Sequence, residues 1–233
     1  GATDAADATT ARAMDAAADA AERVETLTIA TRTKRATQIA ANSDVDVAFR
    51  PFGAPLAFLA ACAKIGVKTT CGEQVKTAPA EARTTTKDGK VDVSGAIDAL
   101  EALEDACEGT GLLGAGSAAR EEVFEWLTRC RSLAPGGGFE KQCEGVNEYL
   151  ATRTYLVGHD VTLADLALWA EFTTNRQWAV VEKKGKCGNL ARWLATMNAD
   201  AETQAVVAAA NAGNPILSKK AMTASDTGKV VGA

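Results

Sequence analysis

Hydrophobic positions change their spacing along this chain, and each change marks an element. Val45, Val47 and Phe49 alternate with polar neighbours, as the residues of a half-buried strand do. Phe52-Gly53-Ala54-Pro55 then turns the chain into an apolar run from Leu56 to Ile65. That run reads as a helix ended by Gly66, because glycine adopts the left-handed conformation past a helix without a steric penalty. Val67 to Val75 reads as a second short strand. Arg83 to Val93, broken by Asp88-Gly89, reads as a hairpin, since Asp-Gly supplies the positive φ of a tight turn. Ser94 is placed to cap a helix through Ala96, Ile97, Leu100 and Leu103.

From residue 114 the spacing is helical throughout. Ser117 is placed to cap a helix carrying Val123, Phe124, Trp126, Leu127 and Cys130 on or beside one face, and Pro135-Gly136-Gly137-Gly138 breaks it. Phe139 to Leu150 gives the next helix, with Val146, Tyr149 and Leu150 turned inward. Thr162 opens a third, Asn189 a fourth and Ala201 a fifth. The chain therefore divides into an Ala/Thr-rich extension over 1–44, an α/β unit over 45–109, a helical bundle over 114–212 and a tail over 213–233. The expected class is α+β, mostly helical.

The extension lacks large apolar residues and is expected to be a solvated helix or a loosely attached arm. Residues 26–43 carry Arg32, Lys34 and Arg35 without an acid, but Asp4, Asp7, Asp15, Asp19, Glu22 and Glu25 argue against a transit peptide. A net charge of −5 argues against a dedicated nucleic-acid binder. No apolar run approaches the roughly 20 residues of a membrane span. The six cysteines, Cys62, Cys71, Cys107, Cys130, Cys143 and Cys187, are scattered, and His159 is the one histidine. That pattern is not a zinc site. Reduced, mostly buried thiols are expected, in a cytoplasmic setting.

The segment richest in signal runs from Arg153 to Trp193. Thr162-Leu163-Ala164-Asp165 is a capping box, in which hydroxyl and carboxylate satisfy each other's backbone N–H and the acid complements the helix dipole. Together, Arg153-Thr154-Tyr155-Leu156-Val157-Gly158 and Thr162 to Ala170 resemble the central motif of glutathione-transferase-like helical domains. The R-T-Y-L-V-G form, Trp178, the lysines Lys183, Lys184 and Lys186, and Asn189-Leu190-Ala191-Arg192-Trp193 resemble the domain appended to eukaryotic-type glutamyl-tRNA synthetases. Thr227-Gly228-Lys229-Val230-Val231 resembles the linker that enters their catalytic domain.

The resemblance implies a glutathione-transferase-like fold, with a degenerate thioredoxin-like unit ahead of the helical bundle. It also implies a non-catalytic interaction module of a synthetase or its assembly. Arg192 and Trp193 are the partner-binding candidates, and the partner would be another glutathione-transferase-like domain. Lys183, Lys184 and Lys186 are weak candidates for tRNA contact. Thr162 and Asp165 are structural, and no catalytic residue, metal ligand or cofactor is expected.

Neither an ATP-binding His-x-Gly-His signature nor a G-x-x-x-x-G-K-[ST] loop occurs in these residues. Conjugating glutathione would require a hydroxyl or thiol after the first strand, a cis-proline before the third and an acid-serine pair. Here the first turn reads Arg50-Pro51-Phe52-Gly53-Ala54-Pro55, Pro79 lies too far upstream, and Val93 precedes Ser94. An elongation-factor-1 subunit or a complex scaffold is the alternative reading, and an active transferase the third.

Overall fold

The computed structural model describes residues 38–49, 53–71, 82–133 and 138–211. The acidic N-terminal run, Pro79 and the tail from 213 lie outside them.

The α/β layer follows the expected order: β1 (Asp44–Ala48), α1 (Leu56–Ile65), β2 (Lys68–Cys71), β3 (Arg83–Thr86), β4 (Asp92–Ser94) and α2 (Ala96–Ala102). The sheet order is β2-β1-β3-β4, with β1 parallel to β2 and antiparallel to β3, and β3 antiparallel to β4. β2 stops at Cys71, and the remainder of that expected strand, to Val75, lies outside the described residues. Val45 pairs with Thr86 and Val47 with Thr84, all four buried, so the inner face is half threonine. Thr86 places its hydroxyl in the hairpin, donating to Asp88 Oδ1 at 2.6 Å and accepting from the Val91 N–H at 3.1 Å. Gly89 completes the turn at a φ of 71°. Gly66 ends α1 at a φ of 73°, where its N–H reaches the Cys62 carbonyl.

Residues 38–43, assigned by sequence to the extension, belong to this layer. Ile39 is fully buried and its N–H donates to the Ala102 carbonyl at 2.7 Å.

The helical part comprises α3 (Gly116–Arg131), α4 (Phe139–Tyr149), which runs into a 3-10 turn (Leu150–Thr152), α5 (Leu163–Thr174), α6 (Arg176–Lys183), α7 (Gly188–Ala199) and α8 (Ala201–Asn211). α5 is the centre. Leu163, Ala164, Leu166, Ala167, Leu168, Trp169 and Phe172 are all buried, as expected of a helix surrounded by others, and it packs on α1, α3 and α7. Phe172 gathers Phe139, Trp178 and Trp193 around its ring at centroid distances of 5.7, 5.3 and 6.5 Å.

Three cations tie the α/β layer to the bundle, each held by two carboxylates. Lys64 on α1 reaches Asp200 and Glu202 at 2.8 and 3.0 Å. Arg120 on α3 reaches Glu104 and Glu108 at 2.8 and 2.5 Å. Arg131 reaches Asp98 and Glu101 at 2.7 and 3.1 Å.

Two expected caps do not form. α2 starts from Gly95 at a φ of 98°, and Ser94 instead ends β4, exposed and paired in register with Arg83. α3 starts from Ala115, which places Ser117 inside the first turn. In both cases the glycine-bearing entry (Gly95, Gly116) sets the first turn before the serine can reach it.

Candidate functional site: the Asp165 hub and the Arg192 face

Thr162 precedes α5 in an extended conformation, as an N-cap must, and the capping box is formed. The Asp165 carboxylate does more than cap. Its Oδ2 accepts from the Thr162 N–H at 3.0 Å and from the Thr162 hydroxyl at 2.9 Å. Oδ1 accepts from the Leu156 N–H at 2.9 Å and the Trp193 Nε1–H at 3.0 Å. Asp165 is fully buried. Burial raises its carboxyl above the usual range, against the pull of these four donors.

One buried acid thus joins the three pieces of the sequence motif: the R-T-Y-L-V-G loop through Leu156, the cap through Thr162, and α7 through Trp193. Arg192 braces the same loop from outside. Its Nη2 donates to the carbonyls of Leu150 and Arg153, both at 2.8 Å, where α4 and its 3-10 turn end, and the Leu150 carbonyl also accepts from the Arg153 N–H at 3.3 Å. α7 is itself capped from α4, where Asn147 Oδ1 accepts from the N–H groups of Asn189 and Leu190 at 2.9 and 3.2 Å. Asn147 lies about 40 residues from the helix it caps, so nothing local in the sequence marks it.

The two partner-binding candidates therefore sit differently. Arg192 is exposed, whereas Trp193 is only 1% exposed and its indole N–H is committed to Asp165, so Trp193 offers no surface. A tryptophan beside an arginine reads as a contact pair from sequence, but successive helical positions are about 100° apart and face different ways.

The lysines lie together at the end of α6 and in the loop after it, all exposed. Lys184 and Lys186 share Glu140 at 2.5 and 3.9 Å. The Lys184 bond holds the Glu140 carboxyl below its ordinary value. Val180 on α6, 60% exposed, is the one large exposed hydrophobic residue among those described. His159 is exposed in the loop before α5. Cys62, Cys107, Cys130, Cys143 and Cys187 are buried free thiols and Cys71 is exposed. Among the described residues no group of three His, Cys, Asp or Glu could hold a metal ion. No helix among them is long and apolar enough to cross a membrane.

Residues 138–201, from the residue before α4 to the start of α8, match the glutathione S-transferase C-terminal domain family. A glutathione transferase from Methylococcus capsulatus superposes with a TM-score of 0.58 at 18% identity, covering 71% of this chain and 98% of that one. One from Streptococcus pneumoniae, complexed with glutathione, gives 0.54 at 18% identity, covering 73% and 85%. The fold is that of a glutathione S-transferase.

Sequence relatives narrow the setting. The cytoplasmic glutamate–tRNA ligase of Arabidopsis thaliana is 34% identical over 74 residues, 31% of this chain and 10% of that protein. The bifunctional glutamate/proline–tRNA ligase of Cricetulus griseus is 30% identical over 92 residues, 39% of this chain and 6% of that protein. The chain thus spans a small part of these relatives. It is homologous to regions of glutamate–tRNA ligases and carries a glutathione S-transferase C-terminal-type domain.

Proposed function

We propose that this chain is a non-catalytic docking module of a glutamate–tRNA ligase or of the assembly around it, working in translation in the cytoplasm. Its partner is another glutathione-transferase-like domain, engaged through the face of α7 that carries Arg192. Lys183, Lys184 and Lys186 add a weaker contact to tRNA phosphate, which lysines in an exposed loop make by releasing counterions. Residues 45–109 and 114–212 act together as the module, joined through the paired-carboxylate ties of Lys64, Arg120 and Arg131.

The observation that carries this reading is the family match over 138–201, which encloses the Asp165 hub and the whole of α7. The machinery of that segment serves rigidity. Asp165 has its acceptor sites filled and lies out of contact with solvent, so it holds shape and leaves no group free to react. What the segment presents outward is an arginine braced on two carbonyls. Arginine is enriched among interface residues that dominate binding energy.

The test is capture of interacting proteins from the source cells on the immobilised chain, with identification by mass spectrometry and a parallel glutathione-conjugation assay. Recovery of a synthetase or scaffold bearing a glutathione-transferase-like domain, with no conjugation, is the expected result. Glutathione turnover, or recovery of no such protein, overturns the reading.

A further inference from the structure

Arg129 near the end of α3, Arg153 after α4 and Arg192 on α7 have no carboxylate partner among the described residues. The chain holds 30 acids against 25 basic residues, and Arg83, Arg120 and Arg131 each hold at least one of those acids. The three unpaired arginines lie instead on rings and carbonyls. The Arg153 guanidinium sits 4.0 Å from the Tyr149 ring centroid, and its Nη1 donates to the Tyr149 carbonyl at 3.0 Å. Tyr149 meets Trp126 edge-on at 5.0 Å, and Arg129 lies over the Trp126 ring at 4.6 Å. Arg192 joins the other end through the Leu150 and Arg153 carbonyls. The outcome is one row, Arg129-Trp126-Tyr149-Arg153-Arg192.

Stacking and carbonyl bonds fix these guanidinium planes yet consume few of the five N–H donors that each carries. The donors left over form planar forks that match an oxyanion with two oxygens. Both carboxylate and phosphate have that geometry, and the surroundings distinguish them. Glu125 and Glu121 are exposed one and two turns before Arg129 on α3, Glu122 accepts from the Tyr149 hydroxyl, and Glu148 is exposed beside Tyr149. A phosphate backbone running past the arginines meets these acids. A short protein segment with adjacent carboxylates framed by basic residues meets complementary charge at every position. Of the row, the three arginines are exposed, while Trp126 is buried and serves as the platform beneath Arg129.

We propose that this row receives an acidic protein segment, Arg192 and Arg153 each taking a carboxylate and Arg129 selecting the residue at its edge. This rests on the docking role of Arg192 and adds the chemistry of what docks.

Fluorescence anisotropy on the full chain tests it with three probes: a labelled peptide of adjacent glutamates framed by lysines, the same peptide with glutamines, and an oligouridylate. The glutamate peptide should bind and the glutamine peptide should not. Arg153→Gln and Arg192→Lys, the latter keeping charge but losing the fork, should each weaken binding on the order of tenfold. Lys90→Gln, on the β3–β4 hairpin, should leave binding unchanged. Thermal melts of each variant separate lost binding from lost fold. Equal binding by the arginine variants, tighter binding of the oligouridylate, or no binding of the peptide overturns the proposal. So does a wild-type dimer in sedimentation that Arg153→Gln dissociates, because a second copy then occupies the row. If a glutathione-transferase-like partner is weakened by Arg192→Lys but binds Arg153→Gln at full affinity, this inference fails and the docking reading stands. If the wild type binds no such partner, the docking reading itself fails.

Discussion

The two layers of this molecule are held by different means. The α/β layer is small and half polar: β2 is exposed along its length, and the inner face of β3 offers Thr84 and Thr86 where a larger sheet would place valine or isoleucine. Thr84 Oγ1 is buried with no hydrogen-bond partner, a cost the layer carries. The bundle is centred on an apolar helix, four aromatic rings and one buried acid with four donors. One buried apolar cluster runs through both layers, and the α/β layer joins the bundle through α1, packed on α5 and α8, and through three paired-carboxylate ties.

The sharpest way to break the comparison is Asp165→Ala. It leaves the N–H groups of Leu156 and Thr162 and the Trp193 indole N–H buried without acceptors. At about 1–3 kcal/mol for each unsatisfied group, partly relieved by relaxation, the expected loss is about 3–5 kcal/mol. Thr162→Ala removes only part of the cap, about 1 kcal/mol. Urea unfolding followed by tryptophan fluorescence measures both, and equal losses would reduce Asp165 to an ordinary cap residue.

The tie between layers is weaker. Lys64→Met is expected to cost about 1–2 kcal/mol, since Lys64 and Asp200 are largely buried and their bond is charged. Its pH dependence identifies the mechanism. Burial raises the Asp200 carboxyl, but the hydrogen bond from Lys64 and the Thr203 N–H outweigh it and leave Asp200 below its ordinary value. A lowered folded-state value gives stability that is present above the unfolded value of about 3.9 and is lost as pH falls through the folded one. The gap between wild type and Lys64→Met should therefore narrow from about pH 6 to about pH 3. Asp165 has the opposite sign: raised in the folded state, it contributes most below about pH 3.9 and less as pH climbs through its folded value. A gap for Lys64→Met that is flat with pH would mean that the lysine acts through packing alone.

The smallest effect is expected at Ser94. It is exposed at the end of β4 and caps nothing, so Ser94→Ala should change stability by less than about 0.5 kcal/mol. A loss near 1 kcal/mol in the same urea titration would restore its role as a cap.

These contrasts mark where sequence was enough. The apolar run Leu56–Ile65, the Asp88-Gly89 hairpin and the capping box were legible because each is set by residues within one turn of each other. Ser94 and Ser117 misled for the same local reason: residue type suggested a cap, but the positive-φ glycines at the helix starts decided the geometry. The rest depended on distance along the chain. Asn147 capping α7, Trp193 turning inward to Asp165, and Ile39 pairing with Ala102 are contacts between segments 28 to 63 residues apart, beyond any local pattern. The Arg192 face was proposed from resemblance. Arg153 and Arg129 are linked through the edge-on contact of Trp126 on α3 with Tyr149 on α4, which no local pattern marks.

Hydrogen exchange of the full chain with and without a captured glutathione-transferase-like partner tests the docking claim most directly. Binding should slow exchange across Leu150–Arg153 and the first turns of α7, where Arg192 braces the loop, and leave the β3–β4 hairpin as it was. Protection confined to the α/β layer, or none on α7, would contradict it.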